Sequence, residues 1–535
     1  MTNQTNPELP LDGWAGLKQN FSSDLTAGFS VFLLALPLSL GIAKASDFPP
    51  LMGLVTAILG GMLVSFFSGS RLTIKGPAAG LIVIVLGAVK DFGGGDLGWH
   101  LALGAMFGAG ILQIFFGAFR LGRLVDFFPL SAVHGMLAAI GIIILLKQFP
   151  VLLDVDPKLT AGKSPFELIA AIPMLLQNLD PKATLVGVIS LWIMMDWNRV
   201  SPTFLRKIPA PLVVLLVAIP AQLLLKFDST EPKYALMSVG NFIASLKINV
   251  DFGGWAQPLL FGKYVLMLAL VGSLESLLTV KAIDLADPFH RKSDTNKDLM
   301  AIGIGNTIAA VLGGLPMISE VARSSANVAN GARTRWANFY HGALLFLFIV
   351  LAARVLNLIP NTALAAMLIT VGLKLAHPRQ FLHIFQIGKD QLAVFLTTII
   401  FTLYTDLLIG IAAGILLKIC MHLWHGAPIR SLFSVQAGVS FTDRDYLLEV
   451  EKVAIFTNFL GIKSRLEAIP TGMDVTIDFS RCTLVDSSVM EAIHHFQKQY
   501  TQAGGTVQIL GLDRLTPSSD HQFSTRIKTQ ATPQP

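Results

Sequence analysis

Long apolar runs separated by short polar turns dominate the chain up to about residue 425. In order, the runs are 24–45, 50–67, 72–89, 97–119, 131–149, 183–197 and 210–226, then 258–282, 299–312, 317–332, 339–356, 362–375, 391–404 and 406–424. A membrane-spanning helix needs about 20 such residues. The pattern therefore predicts an α-helical membrane protein of about 14 spans, of which the third, ninth, tenth and twelfth are short or interrupted. The stretch 165–177 predicts a short interfacial helix, and 228–254 a longer loop.

Two of the interruptions share one plan. In Gly314-Leu-Pro-Met-Ile-Ser-Glu-Val-Ala-Arg-Ser-Ser-Ala-Asn327, residues 315–321 are too short and proline-marked to span, and predict extended backbone. A helix is expected from Arg323 to about Asn330. In Ser70-Arg-Leu-Thr-Ile-Lys-Gly-Pro-Ala-Ala-Gly80, residues 72–75 predict extended chain, with a turn at Gly76. Pro77 then opens a half-helix over 78–89, as suits the first helical position. Such backbone at membrane depth is tolerated only where it is buried in protein or lines a watery site. A helix beginning there points unpaired N–H groups and a positive dipole end into the site, and so attracts anions. Arg323, with the Ser324 and Ser325 hydroxyls, would add to that attraction. Interruptions at matching places in two sevens of spans point to a transporter's binding site.

Composition agrees with a bilayer setting. Only 14% of residues are charged and mean hydropathy is +0.63, against about 25% charged in soluble domains. The net charge of +6 fits basic cytoplasmic loops rather than nucleic acid. With the polar N-terminus inside and an even number of crossings, Arg71, Arg120, Arg123, Arg199, Arg206, Lys207, Arg291, Lys292, Arg333, Arg335 and Arg379 fall in cytoplasmic loops. Both termini are then cytoplasmic, and residues 1–23, which lack an apolar h-region, form a cytoplasmic lead-in. Cys420 and Cys482 provide neither a disulfide framework nor a metal set. No cofactor, metal cluster, nucleophile–base set or phosphate loop is evident, so an enzyme is not expected. Residues 24–430 form the membrane domain.

After Arg430 the pattern changes to alternating charged and apolar positions. Strands are expected at 451–459, 474–479 and 506–510, with an amphipathic helix over 487–500, making a small α/β unit over 431–520. Residues 521–535 are expected to be a disordered tail.

The run Asp474-Val-Thr-Ile-Asp-Phe-Ser-Arg-Cys-Thr-Leu-Val-Asp-Ser-Ser-Val-Met490, with Gly511-Leu-Asp-Arg514, resembles a STAS domain. Ahead of it, Ala35-Leu-Pro37, Ser70-Arg71 with Gly76-Pro77, Ser273-Leu-Glu-Ser276 and Ala322-Arg-Ser-Ser-Ala-Asn327 resemble the SulP (sulfate permease) anion transporters. The resemblance implies two inverted seven-span repeats (7+7), divided into a core and a gate that move in an elevator-like cycle, usually in a homodimer. By position it implies a substrate site built from Ile42, Ala78, Glu275, Arg323 and Ser324. Leu38, Ala78 and Glu320 depart from residues common in the family and leave the substrate open among bicarbonate, sulfate and dicarboxylates.

Glu275 lies in an otherwise apolar run, where a charge costs about 2.5–3.5 kcal/mol on insertion scales and marks function by default. It is a candidate proton carrier of an anion/proton symport, since desolvation disfavours its charged form; the alternative is a structural ion pair. Glu320 is a second candidate for proton or cation coupling, or a partner of Arg323. Arg323 binds substrate or neutralises these carboxylates. Lys75 lies at the inner vestibule or snorkels outward. Ser487 stands where related bacterial regulators carry a phosphorylatable serine, and otherwise caps the helix behind it.

The sequence therefore points to a secondary transporter of a small anion, in a bacterial inner membrane, with lipid, a second copy and a regulatory protein at the STAS domain as partners. The competing readings are a nucleobase:cation symporter of the same fold, a passive anion channel, and a membrane sensor signalling through the STAS domain.

Overall fold

The computed structural model describes residues 9–122, 128–202, 208–227, 242, 247–289, 291–432, 434–442, 444–470, 472–502 and 504–528. Arg123, Arg206, Lys207 and most of 228–254 lie outside them. The chain divides into two compact units, one of residues 1–122 and 140–375, the other of residues 123–139 and 376–535.

In the first unit, α1 (Gly13–Ala45) is a 33-residue helix with non-helical backbone at Asn20. It starts eleven residues before the predicted span, so much of the expected lead-in is helical. After it come β1 (Ile74–Pro77), α2 (Ile82–Asp91), α3 (Pro258–Ala286), α4 (Thr295–Leu312), β2 (Met317–Glu320), α5 (Val321–Ala329) and α6 (Trp336–Leu356). Among the described residues, six helices are long and apolar enough to cross a membrane: Gly13–Ala45, Pro50–Phe67, Gly95–Ala118, Leu130–Leu152, Pro258–Ala286 and Leu407–Trp424. Ala210–Leu225 and Trp336–Ala352 are shorter apolar helices. The expected interfacial helix at 165–177 is two short ones, Pro165–Ala170 and Ile172–Gln177.

The two interrupted segments meet. β1 and β2 pair antiparallel in the register Ile74↔Glu320, Lys75↔Ser319, Gly76↔Ile318 and Pro77↔Met317. All eight residues are buried, so their peptide groups need partners inside the protein. Side chains bridge where the short ladder ends. The Ile74 amide donates to the Ser324 hydroxyl (2.9 Å) and Asn327 Nδ2 to the Leu72 carbonyl (2.9 Å). Proline offers no N–H to a ladder, and at the Pro77↔Met317 rung Asn306 takes both peptide groups of Met317, at 2.6 and 3.1 Å. The Ser319 amide donates to the Ser276 hydroxyl of α3 (3.3 Å).

This corrects the reading of the third span. Gly76 and Pro77 finish the strand instead of making the turn and first helical position. The helix begins later, as a 3-10 turn at Ala79–Leu81 that runs into α2. Pro77 is tolerated because both strands of a two-stranded ladder are edge strands.

The second unit contains α7 (Leu407–Trp424) and a six-stranded sheet with order β3-β4-β5-β8-β7, β6 pairing with β5. Its strands are β3 (Gln436–Phe441), β4 (Asp445–Ala454), β5 (Asp474–Val485), β6 (Thr506–Leu510), β7 (Thr516–Pro517) and β8 (Arg526–Ile527), with α8 (Ser487–Gln502) between β5 and β6. Strands β4, β5 and β6 are parallel. The first predicted strand lies earlier, at 445–454, because 455–459 turns into a helix at Phe459–Glu467. The sheet also extends past residue 520: Arg526 and Ile527 pair with both β5 and β7, in a stretch expected to be tail. Residues 529–535 lie outside the described residues.

Candidate functional site

The polar centre of the first unit lies around the β1–β2 pair, whose two faces differ. On one face Lys75 stands opposite Ser319. Its ammonium is fully buried and donates to Asp298 Oδ1 (2.8 Å) and Oδ2 (3.1 Å), the Thr73 hydroxyl (2.6 Å) and the Ser319 hydroxyl (2.7 Å). Asp298 also accepts from the Ser70 amide (3.2 Å) and the Ser68 hydroxyl. Lys75 therefore neither lines a vestibule nor snorkels: a desolvated ammonium requires a partner, and Asp298, four residues into α4, supplies it.

On the other face Gly76 has no side chain, and the Arg323 guanidinium occupies the vacant space. A β-carbon at Gly76 would stand 2.5 Å from Nη1. Four residues on, Gly80 plays the same part for Glu275, with a β-carbon 1.8 Å from Oε1. The two carriers of charge thus reach the backbone of one segment from different helices, Arg323 from the first turn of α5 and Glu275 from the middle of α3.

Arg323 is wholly buried, and Glu275 and Glu320 are each 8% exposed. Arg323 Nε is 2.8 Å from Glu320 Oε2, an ion pair without the alignment of a hydrogen bond. All three guanidinium nitrogens, Glu275 Oε1 and Glu320 Oε1 are buried with no hydrogen-bond partner. Buried polar groups are nearly always paired, and a guanidinium that has an ion pair but no hydrogen bond, with unmatched oxygens on Glu320 and Glu275, is equipped to bind a polar ligand.

The remaining predicted residues take other positions. Ile42 is buried near the end of α1, and Ala78 follows β1 directly, its amide donating to the Pro316 carbonyl (3.1 Å). The Ser324 hydroxyl, expected to face substrate, is already engaged by the Ile74 amide and the Glu320 carbonyl, so it fastens α5 to β1. Ser325 is exposed. Asn306, Asn327 and Asp298 were not singled out in the sequence. Their signal was a lone polar side chain within or beside an apolar run, the same signal that marked Glu275.

In the second unit Asp486, not Ser487, caps α8. Its Oδ1 accepts from the Val489 amide (2.9 Å) and Oδ2 from the Phe456 amide (2.8 Å). Burial pushes its carboxyl above the usual range, against the pull of Lys418. Ser487 is 7% exposed. Among the described residues no group of three or more His, Cys, Asp or Glu is placed to hold a metal.

Comparisons with known proteins bear on the family and the fold. Residues 21–398 match the sequence model of the sulfate permease family. The chain is 28% identical over 408 residues to the putative sulfate transporter YvdB of Bacillus subtilis (strain 168), covering 75% of this chain and 73% of that one. The solved transmembrane domain of a cyanobacterial bicarbonate transporter, BicA, superposes with a TM-score of 0.64 at 24% identity, over 74% of this chain and 98% of that one. The overall structure of SLC26A9 gives 0.66 at 14% identity, over 92% and 85%. At such identities the structural matches speak to fold, that of a multi-pass membrane protein whose C-terminal sheet and helices accord with a STAS domain. By its sequence, the chain belongs to the sulfate permease family.

Proposed function

We propose that the protein is a secondary transporter of a small anion and that Arg323, Glu275 and Glu320 form its substrate and coupling site. The observation that carries this reading is the fully buried Arg323 guanidinium, ion-paired to Glu320 yet with no hydrogen-bonded nitrogen, while Glu320 and Glu275 each keep an unmatched oxygen. A guanidinium is suited to planar oxyanions, which it holds through two parallel N–H bonds.

The same atoms favour one kind of oxyanion. Arg323 offers donors, whereas Glu275 and Glu320 offer acceptors. A monoanion carrying its own hydroxyl, such as bicarbonate, satisfies both; a fully deprotonated dianion such as sulfate meets two carboxylates with no proton to give. Protonation of Glu275 would ease that repulsion, so proton-coupled sulfate uptake stays within the proposal. In this reading Glu275 carries the coupling proton, with Glu320 as second candidate. Ala78 and Ile42 line the approach, and Ser324 acts through the backbone it holds.

We further take the family's architecture for this chain: fourteen spans as two inverted sevens, a core carrying β1 and β2 moving elevator-fashion against a gate, in a homodimer of the bacterial plasma membrane with both termini cytoplasmic. The fitting partners are the anion, the bilayer, a second copy and a regulator at the C-terminal domain. The chemistry is transport rather than catalysis. A second reading, a nucleobase:cation symporter, draws on the two unmatched carboxylate oxygens, which could accept N–H bonds from an uncharged base.

The test is uptake by the full chain in liposomes, using labelled bicarbonate, sulfate, fumarate and uracil under imposed proton and sodium gradients. Bicarbonate accumulation above sulfate is expected. Uracil accumulation without anion uptake would replace the reading with the second one, and currents far above carrier turnover would replace it with a channel.

A further inference from the structure

An aromatic groove of about 590 Å³, with none of Glu275, Glu320 or Arg323 in its lining, is formed by Trp14, Leu17, Phe66, Trp336, Phe339 and Tyr340. Trp336 is its hub, with ring centroids 5.4 Å from Trp14, 5.1 Å from Phe66 and 5.3 Å from Phe339.

The groove's level follows from where helices end. Phe66 is in the last turn of the apolar helix Pro50–Phe67, and Trp336 is the first residue of α6. Trp14 precedes the non-helical Asn20, before which α1 overshoots: a 33-residue helix is roughly 50 Å long, against about 30 Å of hydrocarbon. Trp336 Nε1 donates to the Gly13 carbonyl (2.9 Å), and Arg71 pairs with Asp12 (3.0 Å), which fix the overshooting segment against the end of the bundle. Three elements thus terminate around the groove, which sets it at the edge of the hydrocarbon, where Trp and Tyr gather.

The groove has polar complements suited to a headgroup. Lys18 is exposed one helical turn beyond Trp14 and is in no ion pair among the described residues. The Tyr340 hydroxyl is buried and without a hydrogen-bond partner. Arg335, beside Trp336, caps the carbonyls of Ser65, Phe66 and Ser68, while the lining itself carries no acid. Arg71, Arg291, Arg333 and Arg335 all lie at this end, so the rule of basic loops sets it on the cytoplasmic side, whose leaflet is anionic.

We propose that the groove is a binding site for an anionic phospholipid, with one acyl chain against the aromatic lining, the headgroup phosphate on Lys18 and an ester oxygen on the Tyr340 hydroxyl. This site is independent of the transport reading.

The experiment uses the two groove tryptophans as probes. The full chain is reconstituted in phosphatidylcholine vesicles containing equal mole fractions of either brominated phosphatidylglycerol or brominated phosphatidylcholine, and tryptophan quenching is compared. Quenching by the anionic lipid should reflect about a fivefold higher occupancy, the worth of one lysine at an anionic surface. Lys18→Glu should abolish the difference, and Trp14→Phe should remove part of the quenched signal. Equal quenching by both lipids, or a preference that survives Lys18→Glu, overturns the proposal. Quenching by neither lipid also overturns it, because lipid would then not reach the groove.

Discussion

The carboxylate of Glu275 lies directly against the backbone at Gly80, so that a β-carbon there would stand 1.8 Å from Oε1 and 2.5 Å from Oε2. The clash is with the tip of a flexible side chain, not with backbone. Gly80→Ala should therefore fold normally and displace the carboxylate. We expect near-wild-type yield and melting temperature with uptake reduced on the order of tenfold to a hundredfold, the usual penalty for a misplaced site group. Unimpaired uptake would separate Glu275 from the transported ion.

Glu275→Gln keeps shape and removes the titrating group. If Glu275 carries the coupling proton, uptake by this variant should lose its response to an imposed proton gradient while downhill exchange persists. A pH profile that parallels the wild type would transfer the role to Glu320, for which Glu320→Gln is the matching measurement.

Arg323→Lys preserves charge but not the planar fork. Its KM for the transported anion should rise by roughly tenfold or more, equal to one lost charge-assisted hydrogen bond of about 1.5–3 kcal/mol. If the arginine serves only to neutralise the carboxylates, the lysine variant will transport with unchanged KM.

Lys75→Ala leaves Asp298 charged, buried and short of its main partner. Breaking such a pair from one side costs about 3–5 kcal/mol, so the melting temperature in detergent should fall steeply. Adding Asp298→Asn removes the stranded charge and should restore part of the loss. Equal melting of wild type and Lys75→Ala would show that the pair does not hold the strands.

The two cysteines should differ in reactivity. Cys482 is buried, and burial first, then the charges of Asp478 and Glu451, push its thiol to about 12. At pH 8 its thiolate fraction is then on the order of one in ten thousand. Cys420 is exposed. A membrane-permeant maleimide should label Cys420 alone in the folded protein and both residues after denaturation; rapid labelling of Cys482 in the native state would mean that the C-terminal sheet opens readily.

The broken segments were legible in sequence because Pro77, Pro316 and Arg323 violate the grammar of a spanning helix. What could not be read was their partner, since strand pairing between residues 74 and 320 is a long-range fact with no local signature. For that reason the turn was assigned to Gly76, and Lys75 to a vestibule or the lipid edge. Arg323 and Glu275 were legible as isolated charges in apolar surroundings, whereas their contacts with Gly76 and Gly80 depend on how two distant helices cross. The Ser324 hydroxyl's bonds to the Ile74 amide and the Glu320 carbonyl could not be read, because a serine at a helix start serves a ligand or a neighbouring strand equally well. In the C-terminal unit the apolar–polar alternation located β5 and β6, but the two-residue strand at 526–527 is too short to show a period.

The β1–β2 seam also acts as a ruler. Successive side chains of a strand point to opposite faces, so Lys75 and Gly76 are committed to opposite sides of the seam by their order alone. Deleting one residue between 70 and 74 would turn the sequence of β1 over by half a period. The ammonium would then be thrust at the guanidinium and a bare glycine left before Asp298. Loops elsewhere in such a chain tolerate gain or loss of residues; this stretch, leading straight into four rungs, tolerates none.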